Sequence, residues 1–535
     1  MKYLDTTTPK SEYNEEFRDY YDWHFFSLRK EYLNLIDKNF YKKIDLDLLV
    51  SSISEKNISS SYLFHNICLF YSIKKFLRKR KVDTLFVENE FLKKNIGDFY
   101  DGVIQIKNSE KIAKINIFRI LLEHFFIHFM SKLISKKIKI AGKINLVDIF
   151  ITSNNLKIDR YYDNFFLKKK TFYHIPTFVN VSLRKIVSCL LHFNKKNYIL
   201  KNQFLNLKDL LYSINFIFRI DKIKIKKIFF KKLDVKDLVL RELYLRRNLN
   251  ASIIGLQNYL FAKKLKNKDI KLESVLNWNE NSIVDKGWNY GFRSFYKDLN
   301  TFGYQGFFVE KKLSSIDITR NEFKAKTCPE YILTVGSILK KARSEFVKKI
   351  KLIPSRAFRF EYLFLKKFNK KKINNKIIIL LNLDKETCIE IIDKIKKTKF
   401  AKNNNFVYIK EHPLLKLRKF YHKPLPKNFK LISGNLYDIV KNFKVVITSG
   451  SSSTVYESLL SGSKIIFPIN DYYDNFNLEM LDVPKSYYKV CNNVNELDIH
   501  INKILNQDIK YFRYYKDKLK NSINDKRNTK FFGKS

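Results

Sequence analysis

Short apolar runs alternate with helix-spaced stretches over the last third of the chain. The runs predict six strands, the first of them buried: Lys376–Leu383, Phe406–Lys410, Phe429–Ser433, Val445–Ser449, Lys464–Pro468 and Tyr487–Cys491. The stretches between them predict three helices: Lys385–Lys397, Leu436–Asn442 and Thr454–Leu460. Short apolar strands separated by helices are typical of a doubly wound parallel sheet, which binds its ligands at the carboxyl ends of the strands.

The first part of the chain carries the same alternation more weakly. Residues 1–75 read as mostly helical and aromatic-rich, and three strand-like runs follow: Thr84–Val87, Val147–Thr152 and Thr171–Val179. A chain of 535 residues is too long for one hydrophobic core. We therefore predict an α/β protein with two Rossmann-like domains, divided into a helical N-terminal extension (1–75), an N-terminal domain (76–330), a C-terminal domain (331–510) and a basic tail (511–535).

Two features of the sequence bear on localisation. The N-terminus lacks the apolar segment of a signal peptide, and charged residues and histidines interrupt the apolar stretch Ile115–Ile134, which argues against a membrane span. The five cysteines lie far apart and form no C-x-x-C pair, which argues against a disulfide framework and for a reducing compartment. We expect a cytoplasmic protein, soluble or peripheral on the inner membrane.

The charge balance is strongly basic, with 103 Lys and Arg against 53 Asp and Glu and a net charge of +50. The excess is spread along the whole chain and accompanies abundant Asn, Ile, Phe and Tyr, a composition that AT-rich coding DNA produces without any partner. Attraction to an anionic membrane face is one alternative. Nucleic acid is another, although the sequence contains no base-reading motif.

The segment Ile217–Lys232, within a basic insert near 195–235, is cationic and apolar together. A lysine-edged strand or a solvated helix face accounts for it structurally. A patch that rests on anionic lipid head groups is the functional alternative.

A run of hydroxyl residues follows the fourth of the six predicted strands. A glycine is followed by Ser451, Ser452 and Ser453, and a predicted helix then begins. Backbone N–H groups at a helix start, with serine hydroxyls beside them, form a site suited to phosphate. Glu457, one turn into the helix, is near enough to hydrogen-bond a ribose. Simple N-capping also explains the run, because serine and threonine favour that position.

A histidine stands at the end of the second predicted strand, in the sequence Lys410-Glu411-His412-Pro413. Because proline stops the strand, we expect the imidazole of His412 to point into the crevice, where it can donate to a phosphate oxygen. A loop histidine without a task is the alternative for this residue taken alone.

His412 and the serine run lie about 40 residues apart, at the ends of two strands of one predicted sheet. The pair resembles the His-Pro and Ser-Ser motifs of bacterial GT-B glycosyltransferases, a group that includes polysialyltransferases, Kdo transferases and teichoic-acid glycerophosphotransferases. The resemblance implies that His412 and Ser451–Ser453 hold the phosphate of a nucleotide-sugar donor. The run Glu457–Pro468 is similar to the E-x-L-x-x-G-x-P-V-I sequence of many GT-B enzymes, with Lys464 in place of the usual proline.

A second resemblance covers the middle of the chain. The sequence reads W-x-E-N at Trp278–Asn281, D-K-x-x-N-x-G at Asp285–Gly291 and G-Y-Q-G at Gly303–Gly306. This succession is similar to a family of surface carbohydrate biosynthesis proteins in bacteria with elaborate O-antigens. The two resemblances span about residues 240–470 and imply transfer of a sugar to a growing surface polysaccharide, O-antigen or capsule, on a lipid-linked or polysaccharide acceptor.

The residues of this middle block also allow a physical interpretation. Glycosyl transfer with inversion needs one group to take the proton of the acceptor hydroxyl, and we rank Glu280 first and Asp285 second as that base. Tryptophan faces suit sugar rings and glycines let a backbone approach a ligand, so Trp278, Asn281 and Asn289 are candidates for binding the acceptor. The alternative is a polar surface loop with buried tryptophan anchors.

We predict no metal site and no cofactor. His124 and His128 have the spacing of a zinc pair, but no third ligand is in view, and Phe125, Phe126 and Phe129 indicate core packing. The sequence has neither a Walker A nor a G-x-G-x-x-G loop, so ATP hydrolysis and dinucleotide chemistry lack their phosphate cradle. The helix start and the strand-end histidine would then stabilise the leaving nucleotide without a metal.

Two rival functions stay open on the sequence alone. A nucleic-acid-binding protein explains the net charge directly but leaves the paired anion motifs unexplained. A non-catalytic scaffold of a polysaccharide assembly complex would keep the fold without turnover.

Overall fold

The computed structural model describes residues 1–8, 12–58, 60–107, 116–134, 140, 142–151, 161–162, 171–179, 181–193, 197–245, 249–307, 314–337, 350–360, 374–382, 385–413, 415–449, 454–468 and 485–507. The chain folds as two compact units. Unit 1 comprises Met1–Gly306, Lys312–Thr334 and Arg343–Ile353, and unit 2 comprises Phe307–Lys311, Val335–Ala342 and Pro354–Ser535.

The secondary structure of the described ranges is α/β throughout. The helices are α1 (Glu15–Ser27), α2 (Arg29–Phe40), α3 (Leu46–Leu49), α4 (Tyr62–Leu77), α5 (Glu90–Gly97), α6 (Ile117–Ile134), α7 (Leu183–Phe193), α8 (Leu207–Ile214), α9 (Phe216–Ile220), α10 (Lys236–Tyr244), α11 (Leu249–Asn267), α12 (Ile283–Phe295), α13 (Arg320–Lys324), α14 (Lys385–Lys396), α15 (Lys399–Lys402), α16 (Leu436–Val440), α17 (Thr454–Leu460) and α18 (Val494–Leu505). The strands are β1 (Tyr3–Asp5), β2 (Thr84–Val87), β3 (Val103–Ile106), β4 (Ile144–Ile151), β5 (Phe172–Phe178), β6 (Phe229–Phe230), β7 (Leu233–Asp234), β8 (Leu272–Trp278), β9 (Asn300–Gln305), β10 (Tyr331–Val335), β11 (Lys351–Ser355), β12 (Asn374–Leu380), β13 (Val407–Lys410), β14 (Phe429–Ile432), β15 (Phe443–Thr448), β16 (Lys464–Pro468) and β17 (Tyr488–Cys491).

Unit 2 is built on one parallel six-stranded sheet in the order β14-β13-β12-β15-β16-β17. The chain runs outward from β12 to β14, crosses back to β15 and then runs to the other edge, so the strand order reverses between β12 and β15. Isoleucine and valine fill the central strands and are fully buried, as a sheet covered on both faces requires. The six predicted strands and three predicted helices are confirmed, with α17 and β16 matching residue for residue.

The larger sheet of unit 1 has the order β11-β10-β9-β8-β4-β5, and its pairings from β10 to β5 are parallel. Here the strand order reverses between β4 and β8, the position where the related 2-1-3-4-5 order binds its ligand. The predicted runs Val147–Thr152 and Thr171–Val179 correspond to β4 and β5. The apolar pattern did not predict β8 or β9, because buried polar residues such as Asn277 and Gln305 interrupt their apolar runs.

The N-terminal region forms a second, smaller parallel sheet in the order β1-β2-β3. Its mostly helical character is confirmed, and the sequence interpretation missed β1, which pairs with Thr84–Phe86 of β2. One hydrophobic core joins α1, α2 and α4 to α10 and α11. The first 75 residues therefore share their core with residues near 250.

Helix α6 corrects one prediction. His124 and His128 are buried, whereas Phe129 is 56% exposed and Phe125 and Phe126 are half-buried. The expectation that these phenylalanines pack in the core is therefore wrong for Phe129. The two histidines of the helix face inward, whereas Phe118, Leu122, Phe129 and Leu133 face outward.

The segment Ile217–Lys232 matches neither the strand nor the helix face of the structural alternative over its whole length. Ile217–Ile220 belong to α9, residues 221–228 form neither a helix nor a strand, and the segment ends in the β6–β7 hairpin. Ile223 and Ile225 pack against the N-terminal core, while the lysines between and after them are exposed. Contact of those lysines with lipid stays a prediction.

All five cysteines are buried free thiols, as their spacing predicted. Among the helices of the described ranges, we find none that is both long enough and apolar enough to cross a membrane.

Candidate functional site

Polar side chains gather at the carboxyl edge of the unit 2 sheet, where its strand order reverses. Asn382 lies just after β12 and donates through Nδ2 to Oγ of Ser449, just after β15, at 2.7 Å. The hydroxyl of Thr448 donates to the carbonyl oxygen of Leu380 at 3.0 Å, which ties the two strand ends together. Sequence reasoning missed Asn382 and Ser449 as site residues. The signal for Asn382 was a single amide that closes an otherwise apolar run.

The end of the neighbouring strand β13 adds a cation. Lys410 is half-buried, and this burial lowers the pKa of its ammonium group, as does the charge of Lys416, while the carboxylates of Glu411 and Glu457 raise it. Glu411 is used locally, because its Oε1 accepts the backbone N–H of Leu417 at 2.6 Å. Lys410, which the sequence interpretation gave no role, is thus a candidate for contacting an anion near Glu457.

His412 lies two residues beyond β13, at the strand end where the sequence predicted it. The residue is half-buried, and its carbonyl oxygen accepts the backbone N–H of Leu415 at 3.1 Å in a tight turn. This hydrogen bond uses the backbone of His412 and does not involve its imidazole. The phosphate contact of the ring stays a prediction.

The serine run lies outside the described residues, so the phosphate role of Ser451, Ser452 and Ser453 stays a prediction. The helix after it, α17, begins at Thr454 as expected. Glu457 is 8% exposed, and its carbonyl oxygen accepts both the N–H and the hydroxyl of Ser461. Its proposed contact with a ribose is likewise a prediction.

The reversal point of the unit 1 sheet carries the turn from β8 to α12. Asp285 organises this turn: its Oδ1 accepts Nδ2 of Asn277 at 2.7 Å, and its Oδ2 accepts the backbone N–H groups of Glu280 and Ser282 at 3.0 and 2.9 Å. Ser282 caps α12: its Oγ accepts the backbone N–H of Asp285 at 3.5 Å, and this bond forms a capping box with the one from the Ser282 N–H to Oδ2. The Ser282 hydroxyl also donates to Oδ2 at 3.0 Å. Asn281 adopts a φ of 57°, the left-handed region that asparagine tolerates.

The two carboxylates of this turn have different surroundings. Asp285 is buried, and burial raises its pKa to about 7, with the charges of Glu280 and Asp148 acting in the same direction and hydrogen bonds from Ser282 and Asn277 against it. Glu280 is exposed, and its Oε1 accepts the indole N–H of Trp278 at 2.8 Å. Of the two carboxylates, only the exposed one, Glu280, is accessible to a ligand. This exposure is consistent with ranking Glu280 first as the base. The role itself stays a prediction.

The three candidate acceptor residues lie inside unit 1. Trp278 is 2% exposed and packs on Tyr161 at a ring distance of 4.2 Å. Asn281 donates to Oε1 of Glu322 at 2.9 Å, and Asn289 donates to the carbonyl oxygen of Asp285 at 2.9 Å. Trp278 is therefore a buried anchor, as the alternative describes, and the expectation that its ring face binds a sugar of the acceptor is wrong.

The glycines of the same block serve packing. A Cβ added to Gly287 would lie 2.0 Å from the carbonyl oxygen of Gly255, so α11 and α12 touch through their backbones. A Cβ added to Gly303 would lie 2.6 Å from Cγ of Pro329 and 2.8 Å from the side chain of Asn279. The expectation that these two glycines make room for a ligand is wrong, since protein atoms occupy the space.

A buried charge triad of Lys56, Lys286 and Glu322 contacts the β8–α12 turn through Asn281. Lys56 and Lys286 both bind the carboxylate of Glu322, and all three side chains are fully buried. Lys286 also donates to Oδ1 of Asn281 at 3.2 Å. The two lysines lower the pKa of Glu322 to about 2 against the opposing effect of burial. The triad therefore joins the N-terminal region, α12 and α13 around the turn that carries Glu280.

Asp148 of β4 and Lys201 form a second group of buried charges, linked through Thr177. The hydroxyl of Thr177 donates to Oδ1 of Asp148 at 3.1 Å, and Nζ of Lys201 donates to Thr177 and Asn258 at 2.9 and 2.8 Å. Burial raises the pKa of Asp148 to about 6 and lowers that of Lys201 to about 8. Neither residue was predicted, because a lone Asp or Lys in an apolar run gives no motif.

The histidines of α6 have amide partners. His124 contacts Asn250 through Nε2 at 2.8 Å and Gln257 through Nδ1 at 3.3 Å, and burial lowers its pKa to about 4. His128 contacts Oδ1 of Asn202 at 3.2 Å. Within the described ranges we find no cluster of three potential metal ligands.

Two amide side chains at the ends of β8 and β9 have buried polar atoms that lack a hydrogen-bond partner in the described part of the chain. Nδ2 of Asn279 and both polar atoms of the Gln305 side chain form no hydrogen bond with the residues described there. Buried polar groups of this kind are rare because each lost hydrogen bond costs free energy. They are therefore candidates for contacts with a ligand or with water, and the sequence interpretation assigned them no role.

Two Rossmann-like parallel sheets in one chain, together with a helical N-terminal portion, confirm the α/β fold class that the sequence predicted. No protein-family model and no curated protein matches the sequence. Among solved structures, the chain is similar to CalG4, the calicheamicin glycosyltransferase, at 8% identity and a TM-score of 0.39 over 72% of this chain and 96% of that one.

The chain is similar to two further solved structures. UGT89C1 of Arabidopsis thaliana, complexed with UDP, is 9% identical with a TM-score of 0.41 over 72% of this chain and 96% of that one. A UDP-N-acetylglucosamine 2-epimerase from Rickettsia bellii is 10% identical with a TM-score of 0.41 over 69% of this chain and 90% of that one. At such low identities the function has to be argued from the residues of this chain.

Proposed function

We propose that the chain is a glycosyltransferase that moves a sugar from a nucleotide-activated donor to a growing bacterial surface polysaccharide, O-antigen or capsule. The observation that carries the proposal is the gathering of Asn382, Lys410, His412 and Ser449 at the reversal point of the unit 2 sheet. Doubly wound sheets bind nucleotides at this point. The polysaccharide part of the proposal rests on the two motif resemblances.

The donor would occupy the unit 2 site. His412 and Lys410 lie at the end of one strand and can donate to the oxygens of a diphosphate, with Ser451–Ser453 as further donors and Glu457 as acceptor for a ribose hydroxyl. Negative charge accumulates on the nucleotide as it leaves. Fixed cationic and N–H donors aimed at that charge stabilise the transition state more than the ground state.

The proton of the acceptor hydroxyl would pass to Glu280. This carboxylate is exposed and its direction is set by the indole N–H of Trp278, while Asp285 fixes the backbone N–H of Glu280 itself. Asp285, Asn281 and Asn289 then act as positioning residues. The acceptor would be lipid-linked or polysaccharide, and the exposed lysines of Ile217–Lys232 would hold the protein on the anionic inner membrane from the cytoplasmic side.

Thermal denaturation in the presence of nucleotides tests the donor site. A ligand that binds only the folded protein adds about 2.7 kcal/mol to the free energy of unfolding at a concentration of 100 times its Kd. The melting temperature rises as a result. We expect one of UDP, CDP, GDP or CMP to raise the melting temperature. His412→Ala should raise the Kd of that nucleotide about 10- to 100-fold, the effect of losing one hydrogen bond to a charged group.

Without ligand, His412→Ala should melt at the wild-type temperature, because the turn is held by the backbone carbonyl that alanine keeps. A fall in stability of the free variant would make His412 structural. The absence of any nucleotide effect on the wild type would contradict the proposed donor site.

Metal chelation gives a separate prediction. We expect transfer to continue in EDTA at an unchanged rate, since Lys410, His412 and the α17 start replace a divalent cation at the phosphates. The measurement is the initial rate with and without excess EDTA, followed by addition of magnesium or manganese. Loss of activity that either metal restores would contradict this part of the mechanism.

A further inference from the structure

The outward side of α6 carries an exposed apolar stripe. Phe118, Leu122, Phe129 and Leu133 are 77%, 50%, 56% and 79% exposed. At 3.6 residues per turn these four positions fall within about 60° of one another around the helix and extend for about 22 Å along it. Large apolar side chains aligned in this way are uncommon on a surface that faces only water.

The polar contacts on the opposite side of α6 fix its rotation. His124 is held by Asn250 and Gln257, and His128 by Asn202. Turning the apolar stripe inward would break these buried hydrogen bonds and leave their polar groups unsatisfied. The exposure of the stripe is therefore a consequence of how the helix is anchored.

Charge defines what can cover the stripe. Arg119 and Lys132 are exposed and project on opposite flanks of it, while the one acid of the helix, Glu123, lies outside it and is half-buried. An apolar stripe with cations on both flanks is the pattern of a helix that lies in a membrane interface. A second copy of the chain is a poor occupant, since it has the same net charge of +50.

We infer that α6 docks the protein on an anionic lipid surface, with Phe118, Leu122, Phe129 and Leu133 inserted among the acyl chains and Arg119 and Lys132 at the head groups. This surface is independent of the donor site, and a vesicle assay needs no enzymatic activity. It also differs from adhesion through the lysines of Ile217–Lys232, because burial of apolar side chains is not screened by salt.

The test is co-sedimentation with vesicles of phosphatidylcholine and phosphatidylglycerol in equal parts, and with phosphatidylcholine alone. We expect wild type to pellet with the anionic vesicles and to stay partly bound at 0.5 M salt, where the Debye length is about 4 Å. Replacing the four stripe residues with Gln should lower the partition coefficient by about tenfold for each side chain that inserts.

The matched control replaces four exposed apolar residues of unit 2 with Gln: Phe406, Leu431, Val490 and Ile499. This variant should pellet like wild type. A second comparison replaces Lys222, Lys224, Lys226 and Lys227 with Gln, which should reduce binding at low salt and leave the salt-resistant part. Equal melting temperatures of all variants establish that each is folded.

Fluorescence gives a direct reading of insertion. Phe129→Trp should shift its emission to the blue on addition of anionic vesicles, and Ile499→Trp should not. The inference is overturned if the stripe variant pellets like wild type, or if salt releases wild type completely. It is also overturned if wild type is a dimer that does not bind vesicles and the stripe variant is a monomer. That result would assign the stripe to contact with a second copy.

Discussion

Glutamine in place of Glu322 is expected to lower the free energy of unfolding by about 3–5 kcal/mol, the effect of removing one partner from a buried ion pair. Lys56 and Lys286 would keep their charges in the interior without a carboxylate, and neither ammonium can reach water because both side chains are fully buried. Chemical denaturation at neutral pH measures the change.

The control for this variant is an exposed pair. Asp438→Asn breaks the contact with Lys441 on the surface of unit 2 and should change stability by about 0.5 kcal/mol or less. Wild type offers a second check. The folded pKa of Glu322 is about 2 against 4.5 for the free group, so its contribution is complete above about pH 4.5 and is lost as the pH falls toward 2. A Glu322→Gln variant as stable as wild type would show that the triad contributes no net stability.

Glu280→Gln is expected to lower kcat about 10²- to 10⁴-fold and to leave the free energy of unfolding unchanged. An exposed amide can still accept the indole N–H of Trp278, so the turn keeps its shape while the side chain loses its ability to take a proton. Initial rates with saturating donor and acceptor, together with a denaturation curve, separate the two effects.

Asp285→Asn is the matched variant on the same turn. Its amide nitrogen would face either Asn277 or the N–H groups of Glu280 and Ser282, so we expect a loss of about 1–3 kcal/mol in stability. If Glu280→Gln retains full activity and Asp285→Asn is inactive but stable, the order of the two carboxylates is wrong and Asp285 is the base.

The sequence located the unit 2 site more completely than the unit 1 site. Strands β12 to β17 are short apolar runs, so their periodicity alone places the residues that follow them at one edge of a sheet. Asn277 near the end of β8, Asn279 just after it and Gln305 at the end of β9 have buried amides. Apolar periodicity cannot detect a strand whose buried positions are polar.

The amino-acid sequence by itself determined the α/β class, the doubly wound order of elements in unit 2 and the position of His412 at a strand end. These follow from local periodicity, which records how each segment contacts its own surroundings. Tertiary structure decided which polar residues meet: Asn382 with Ser449, Glu322 with two lysines, and the buried histidines of α6 with their amide partners. Contacts between residues far apart in the chain leave no periodic trace, because each partner looks like an ordinary surface residue in its own segment. The outward apolar stripe of α6 was decided in the same way, since only the burial of His124 and His128 fixes which side of the helix faces out.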